Sequence, residues 1–398
     1  MTKRTRSHGE DLRGASRLAV EATRAVTEIV KSMHQTIASG PAILGKPLEK
    51  PVRLVTDIVY GNITGVTKLV GAGIDLALAQ LAPLLGEGAP GPERDAVLAA
   101  LNGVLGDYLA ETDNPLAIEM TLRHGEHALT LEPAALREAI PDASGTLLVL
   151  VHGSCMSDRQ WLRNGHDHGA ALARDLGVTP VYVHYNSGLH VSTNGRALAD
   201  RLERLVAAWP REEPPRIILL GHSMGGLVLR SACAAAEATG HAWCEHAAAL
   251  VCLGSPHHGA PLERGGHWAN LLLGISRYSA PLTKLGEIRS AGITDLRYGN
   301  VLDEHWADRD RFDHGGDPRA RLDLPRGVAC YAIAGSIAEG TQLGGDGMVP
   351  VDSALGRHPR PELALAFPED HTWIAKGVGH LDLLDRPEVY AKIVSWLS

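Results

Sequence analysis

The pattern of apolar and polar positions changes character near residue 115. Before it, apolar residues recur at helical spacing. Leu18, Ala22, Val26, Ile29, Met33 and Ile37 step by three or four residues within Ala15 to Ser39, which places them on one face of an amphipathic helix closed by Gly40-Pro41. A second helical tract, Val52 to Leu85, contains Gly61, Gly65, Gly71 and Gly73, which favours close helix packing or a broken helix over one continuous rod. A third begins at Pro92, carries Glu93 and Asp95 in its first turn, and continues through Val97, Leu101, Leu105 and Leu109.

Beyond the turn Asp113-Asn114-Pro115, strand signals take over. Met120 to Leu131, with Gly125 at its centre, predicts a β-hairpin, and Pro133 to Ile140 a short helix. Continuous apolar runs follow at Thr146–Val151, Pro180–His184, Arg216–Leu220, Ala248–Leu253, Gly327–Ile333 and Thr372–Ala375. The helical patterns Asp167–Leu176, Gly195–Trp209 and Met224–Ala238 lie between them, and Pro387 to Leu397 closes the chain. Strands that are apolar throughout, rather than alternating, are buried on both faces. Separated by helices, they predict an α/β fold with a mostly parallel central sheet and helices on both sides, and catalytic residues at the carboxyl ends of strands. The expected division is a helical N-terminal extension at 1–115 and a catalytic unit at 116–398, with 260–325 as an insertion.

Composition narrows the class. The chain of 398 residues is 44% hydrophobic and 21% charged, a globular balance, and its net charge of −8 argues against a nucleic-acid partner. The five cysteines lack CxxC spacing, so neither a disulfide framework nor a zinc site is expected, and the reading is a reducing cytoplasm. Met1 to Val20 shows no secretory-leader pattern. The most apolar run, Leu69 to Gly86, is interrupted by Asp75, Gln80 and Pro83, which favours helix packing, self-association or peripheral contact with a membrane surface over a span. Histidine, at 20 residues, outnumbers the 7 Trp, 8 Tyr and 2 Phe together.

The chemistry gathers at strand ends. The strand Arg216 to Leu220 runs into Gly221-His222-Ser223-Met224-Gly225-Gly226 and then a helix, which is G-x-S-x-G in the setting that exposes a nucleophilic serine on a sharp turn. The flanking glycines have a steric reason, because side chains there would meet the neighbouring strand or helix. The strand Leu147 to Val151 ends in His152-Gly153-Ser154. The backbone N–H groups of Ser154 and Met224 are therefore the candidate oxyanion donors. Ser154 and Cys155 themselves are rejected as nucleophiles because neither follows an elbow pattern.

Asp346, between Gly345 and Gly347 on the loop beyond the strand 327–333, is the candidate acid, with Asp352 as runner-up; Asp382 is too close in sequence to the histidine. His380, on a Gly-flanked loop after the last strand, is the candidate base; its rival His371 precedes that strand. His152, Gly153, His222, His257 and His258 are assigned to the rim of the site. No carboxylate at metal-ligand spacing accompanies the histidines, so neither a metal nor a cofactor is expected. His305 to Asp323, dense in Asp, Arg and His, reads as a solvated loop.

These motifs resemble the α/β-hydrolase superfamily, within it the lipase/esterase group that includes bacterial triacylglycerol lipases and inositol-deacylase-like proteins. The resemblance covers about 116–398 and rests on V-H-G-S, G-H-S-M-G-G, L-G-S-P-H-H-G at 253–259, G-D-G-M-V-P at 345–350 and G-H-L-D-L-L at 379–384. It implies the chain order nucleophile, acid, histidine and a lid at about 260–325, whose first half (Trp268, Leu271, Leu272, Leu273, Ile275, Tyr278) is apolar enough to face an acyl chain. The function expected is hydrolysis of carboxylic esters, including lipid-like ones, through an acyl-enzyme on Ser223. The alternatives are an acyltransferase using the same three residues and, third, a non-catalytic scaffold on the same fold.

Overall fold

The computed structural model describes residues 92–260, 290–309, 317, 319–338 and 344–398. The two helical tracts before residue 91 and the apolar half of the 260–325 insertion lie outside them. Eight strands form one sheet: β1 Thr121–His124, β2 His127–Ala128, β3 Thr146–Val151, β4 Thr179–His184, β5 Arg216–His222, β6 Ala247–Leu253, β7 Ala329–Ser336 and β8 Thr372–Lys376. Their order is β2-β1-β4-β3-β5-β6-β7-β8, antiparallel where β1 meets β2 and β4, and parallel throughout the rest. The fold is a mostly parallel α/β sheet.

Helices α1 Pro92–Glu111, α2 Pro133–Ala139, α3 His168–Leu176, α4 Val191–Ala207, α5 Met224–Thr239, α6 Ala291–Asp295, α7 Val351–Ala354 and α8 Pro387–Leu397 surround it. Because successive strand side chains point to opposite faces, each strand feeds two cores. Leu147, Val149, Ile217 and Leu219 pack with Leu198 and Leu202 of α4 and Leu227 and Val228 of α5. Leu148, Leu150, Ile218 and Leu220 pack with Leu172 of α3 and Val389 and Ile393 of α8. The first of these cores also takes in Leu98, Leu101, Val104, Leu105 and Leu109 of α1.

Register aligns the strand ends that matter. Val151 is paired with Gly221, His222 with Leu253, and Leu253 with Ile333, so the chain leaves β3, β5, β6 and β7 from nearly one level. Residues just beyond those ends are therefore brought together although they lie up to about 190 positions apart in sequence. Among the described residues no helix is long and apolar enough to cross a membrane.

Candidate active site

Ser223 occupies the turn between β5 and α5 with φ 54° and ψ −123°, a left-handed conformation rarely adopted by a non-glycine residue. Its N–H donates to Leu253 O (2.8 Å), tying the turn to β6. A Cβ on Gly221 would lie 2.5 Å from Gly226 N, and one on Gly225 would lie 2.1 Å from Val151 O and 2.8 Å from His152 O. Both positions are closed to any side chain. The second clearance also seats the start of α5 directly against the end of β3, which brings Met224 and the His152-Gly153-Ser154 segment together.

Asp346 and His380 meet at the ends of β7 and β8. His380 Nδ1 lies 2.7 Å from Asp346 Oδ2, and the His380 N–H donates to Asp346 O (3.0 Å). Asp346 Oδ1 accepts from the N–H groups of Met348 (2.9 Å) and Val349 (2.7 Å). The tight turn through Gly345 and Gly347, both at positive φ, makes those two amides converge on one carboxylate oxygen. Ser223, Asp346 and His380 are 1%, 3% and 3% exposed. With Nδ1–H given to the carboxylate, the neutral imidazole keeps its lone pair on Nε2, the atom a general base must use.

Neighbouring residues hold this arrangement. His222 Nε2–H donates to His380 O (3.0 Å), and burial, with His380 as a like-charged neighbour, keeps the His222 ring well below its usual pKa and hence neutral. His152 is likewise buried and brought down to about 3 by desolvation, and its ring stacks on Tyr185 at 4.3 Å. The Tyr185 hydroxyl donates to His152 O (2.8 Å), and Cys155 N–H donates to Ser187 Oγ (3.0 Å), which fixes the chain on either side of Gly153 and Ser154. A Cβ on Gly153 would stand 3.0 Å from Ser223 Cβ, so this segment passes directly over the serine.

Three rival residues are placed away from this chemistry. Asp352 is an exposed partner of Arg357, His371 faces Cys330 O, and burial pushes the Cys155 thiol up to about 12. His257 and His258, expected at the rim, lie instead along a separate cleft with Arg230 and Arg319. His305 and Arg319, from the stretch read as a solvated loop, are buried there too: Arg319 Nη1–H donates to His257 O and Gly299 O, and those tertiary hydrogen bonds pull the segment inward. Sequence reasoning missed Gly254. Its φ is 59°, and a Cβ there would lie 3.1 Å from Asp346 Oδ2 and 3.2 Å from His380 Nδ1. The available signal was a glycine at the carboxyl end of an apolar strand.

Residues 142–313, a little under half of the chain, match the family described as PGAP1-like alpha/beta domain. The unit is an α/β-hydrolase in fold. No curated protein matches the chain in sequence. Among solved structures the α/β-hydrolase unit is similar to the mature form of the Bacillus licheniformis lipase BlEst2, at 16% identity over 70% of this chain and 98% of that one (TM-score 0.42). It is also similar to the phospholipase PlaB from Legionella pneumophila, at 16% identity over 52% and 45% of the two chains (TM-score 0.35). The RedJ thioesterase of Streptomyces coelicolor is 17% identical over 65% and 91% (TM-score 0.38). Among the described residues no cluster of three or more His, Cys, Asp or Glu side chains is arranged to hold a metal ion.

Proposed function

We propose that the protein hydrolyses carboxylic esters through an acyl-enzyme on Ser223. The observation that carries this reading is a serine in a strained strand-to-helix turn together with a buried His380–Asp346 pair in which Nδ1 faces the carboxylate. In the proposed reaction His380 Nε2 takes the Ser223 Oγ proton as the oxygen attacks the ester carbonyl. Asp346 holds the tautomer and stabilises the imidazolium. The backbone N–H groups of Ser154 and Met224 receive the developing oxyanion, an interaction whose single donors are typically worth about 3–4 kcal/mol. Collapse breaks the ester C–O bond, His380 returns the proton to the leaving alkoxide, and water activated by His380 then hydrolyses the acyl-enzyme.

A lipid-like acyl group is the proposed substrate feature, on the strength of the apolar residues between 268 and 278. Two measurements test the reading together. A fluorophosphonate should label Ser223 in the wild type and leave Ser223→Ala unlabelled, and Ser223→Ala should lose p-nitrophenyl ester turnover by on the order of 10^4-fold or more. Wild-type turnover in Ser223→Ala would remove the assignment.

A further inference from the structure

A planar trans peptide unit carries its C=O and its N–H in opposite directions, so a partner that holds the oxygen also aims the hydrogen. The Ser154 N–H belongs to the same unit as Gly153 O. His152 Nδ1 lies 2.8 Å from Gly153 O, and because a carbonyl only accepts, it is Nδ1–H that donates. The units on either side are held as well, by the Tyr185 hydroxyl donating to His152 O (2.8 Å) and by Ser187 Oγ accepting from Cys155 N–H (3.0 Å). Each of the successive units 152–153, 153–154 and 154–155 is thus fixed by one side chain.

The need for these clamps follows from Gly153. A Cβ there would stand 3.0 Å from Ser223 Cβ, so the segment passes close over the serine only as glycine, and glycine leaves the backbone free to turn. Two of the three clamps come from one place. β3 and β4 are paired with Val151 opposite Val183, and the same register carried forward sets Gly153 beside Tyr185 and Cys155 beside Ser187. The Tyr185 ring stacks on the His152 ring at 4.3 Å, so the residue that holds His152 O also steadies the imidazole that holds Gly153 O. The chain between Tyr185 and Ser187 is itself braced: Asn186 Nδ2–H donates to Gly106 O of α1 (2.8 Å), and Asn194 of α4 donates to Asn186 O (2.9 Å).

We propose that Tyr185 and Ser187 are positioning residues for the ester reaction, holding the Ser154 N–H on the developing oxyanion through the His152-Gly153-Ser154 backbone. The inference rests on the ester reading at Ser223. An oxyanion donor acts at full strength only if it is in place before the charge develops, and a misplacement of about 1 Å can cost on the order of 10^2-fold. Both hydroxyls are spent on backbone partners, so their loss should fall on the transition state and not on substrate binding.

The test is steady-state hydrolysis of p-nitrophenyl butyrate by the full chain, with rates counted per serine labelled to completion by a fluorophosphonate. Tyr185→Phe keeps the ring stack and removes only the hydroxyl; kcat should fall about tenfold with KM within about twofold. The inhibition constant of an alkyl trifluoromethyl ketone, whose adduct with Ser223 carries the oxyanion, should rise by the factor by which kcat/KM falls. Ser187→Ala should behave in the same way and supplies the measurement if Tyr185→Phe fails to fold. His152→Asn, whose Nδ2–H stands near the place of Nδ1–H, should retain about tenfold more kcat than His152→Leu. A merely structural role would lower the fraction of labelled serine and leave these ratios alone. Wild-type kcat per labelled serine in the variants, or a ketone constant that does not follow kcat/KM, overturns the assignment alone. A wild type that neither labels nor turns over ester overturns the ester reading and this assignment with it.

Discussion

Asp346 shows how much a single residue decides. Three N–H groups, two from its own turn and one from His380, converge on its carboxylate. Asn in its place retains most of the shape, but its NH2 group faces either Nδ1 or the two backbone amides as one donor against another. The imidazole is then driven to the tautomer with its proton on Nε2, where it cannot take a proton from serine. Asp346→Asn should therefore fold and should lower kcat by about 10^4-fold, measured on a soluble p-nitrophenyl ester; a loss under about tenfold would show that the carboxylate does not set the tautomer. The site was legible here because each proposed catalytic side chain sits on its own glycine-marked turn just past an apolar strand. The Arg230–His257 contact was not, since it joins an interior helix position to a loop 27 residues on, and only tertiary packing puts them side by side.

At the scale of elements, α1 has the largest consequence. A Cβ on Gly103 would lie 2.2 Å from Cys155 Sγ and 2.7 Å from Cys155 Cα, and one on Gly106 would lie 1.8 Å from Asn186 Oδ1. The helix is pressed onto the segment that follows β3, where Cys155 itself has φ 58°. Asn102 fixes its placement by donating to Leu98 O and Leu116 O and accepting from Ile118 N–H. Gly103→Ala should therefore displace the Ser154 amide and slow fluorophosphonate labelling of Ser223 by at least about tenfold. Adding Cys155→Gly, which removes the opposing side chain and suits the positive φ, should recover part of that rate; a double variant no faster than Gly103→Ala would show that the contact is not responsible.

The element boundaries that differ from the sequence reading have local causes. β7 begins at Ala329 rather than 327, because Gly327 adopts φ 74° and cannot extend the strand. α4 begins at Val191 rather than 195: its polar first turn is captured by acids distant in sequence, with Val191 N–H donating to Asp295 (2.8 Å) and Ser192 Oγ to Asp303 (2.6 Å). Such partners leave no mark on local periodicity.

For the whole molecule, the histidine surplus becomes a statement about acid stability. The proposed mechanism uses one histidine directly, yet burial holds His152 at about 3 and His168 at about 4, and keeps His222 and His257 well below their usual value. All four are neutral in the folded protein and take up protons near pH 6.5 once unfolded. A histidine whose folded value is depressed leaves stability intact above pH 6.5 and removes it as pH falls below, until the folded value is reached. Each such group costs about 1.4 kcal/mol by pH 5.5, so the four together cost about 5–6 kcal/mol, as much as the entire stability of many domains. Asp158 does not offset this: burial alone would raise its pKa, but His184 and Arg123 bring it down to about 2, so its contribution is lost only well below that window. The protein should therefore show a nearly constant Tm from pH 8 to 7 and a steep fall between 6.5 and 5.5. His168→Gln, whose side-chain amide can replace the donation to Leu383 O (2.9 Å), should make that fall shallower by about one proton's worth. A Tm that stays level down to pH 5.5 would mean that these rings find water or a partner when they charge, and that burial, not composition alone, fails as the explanation.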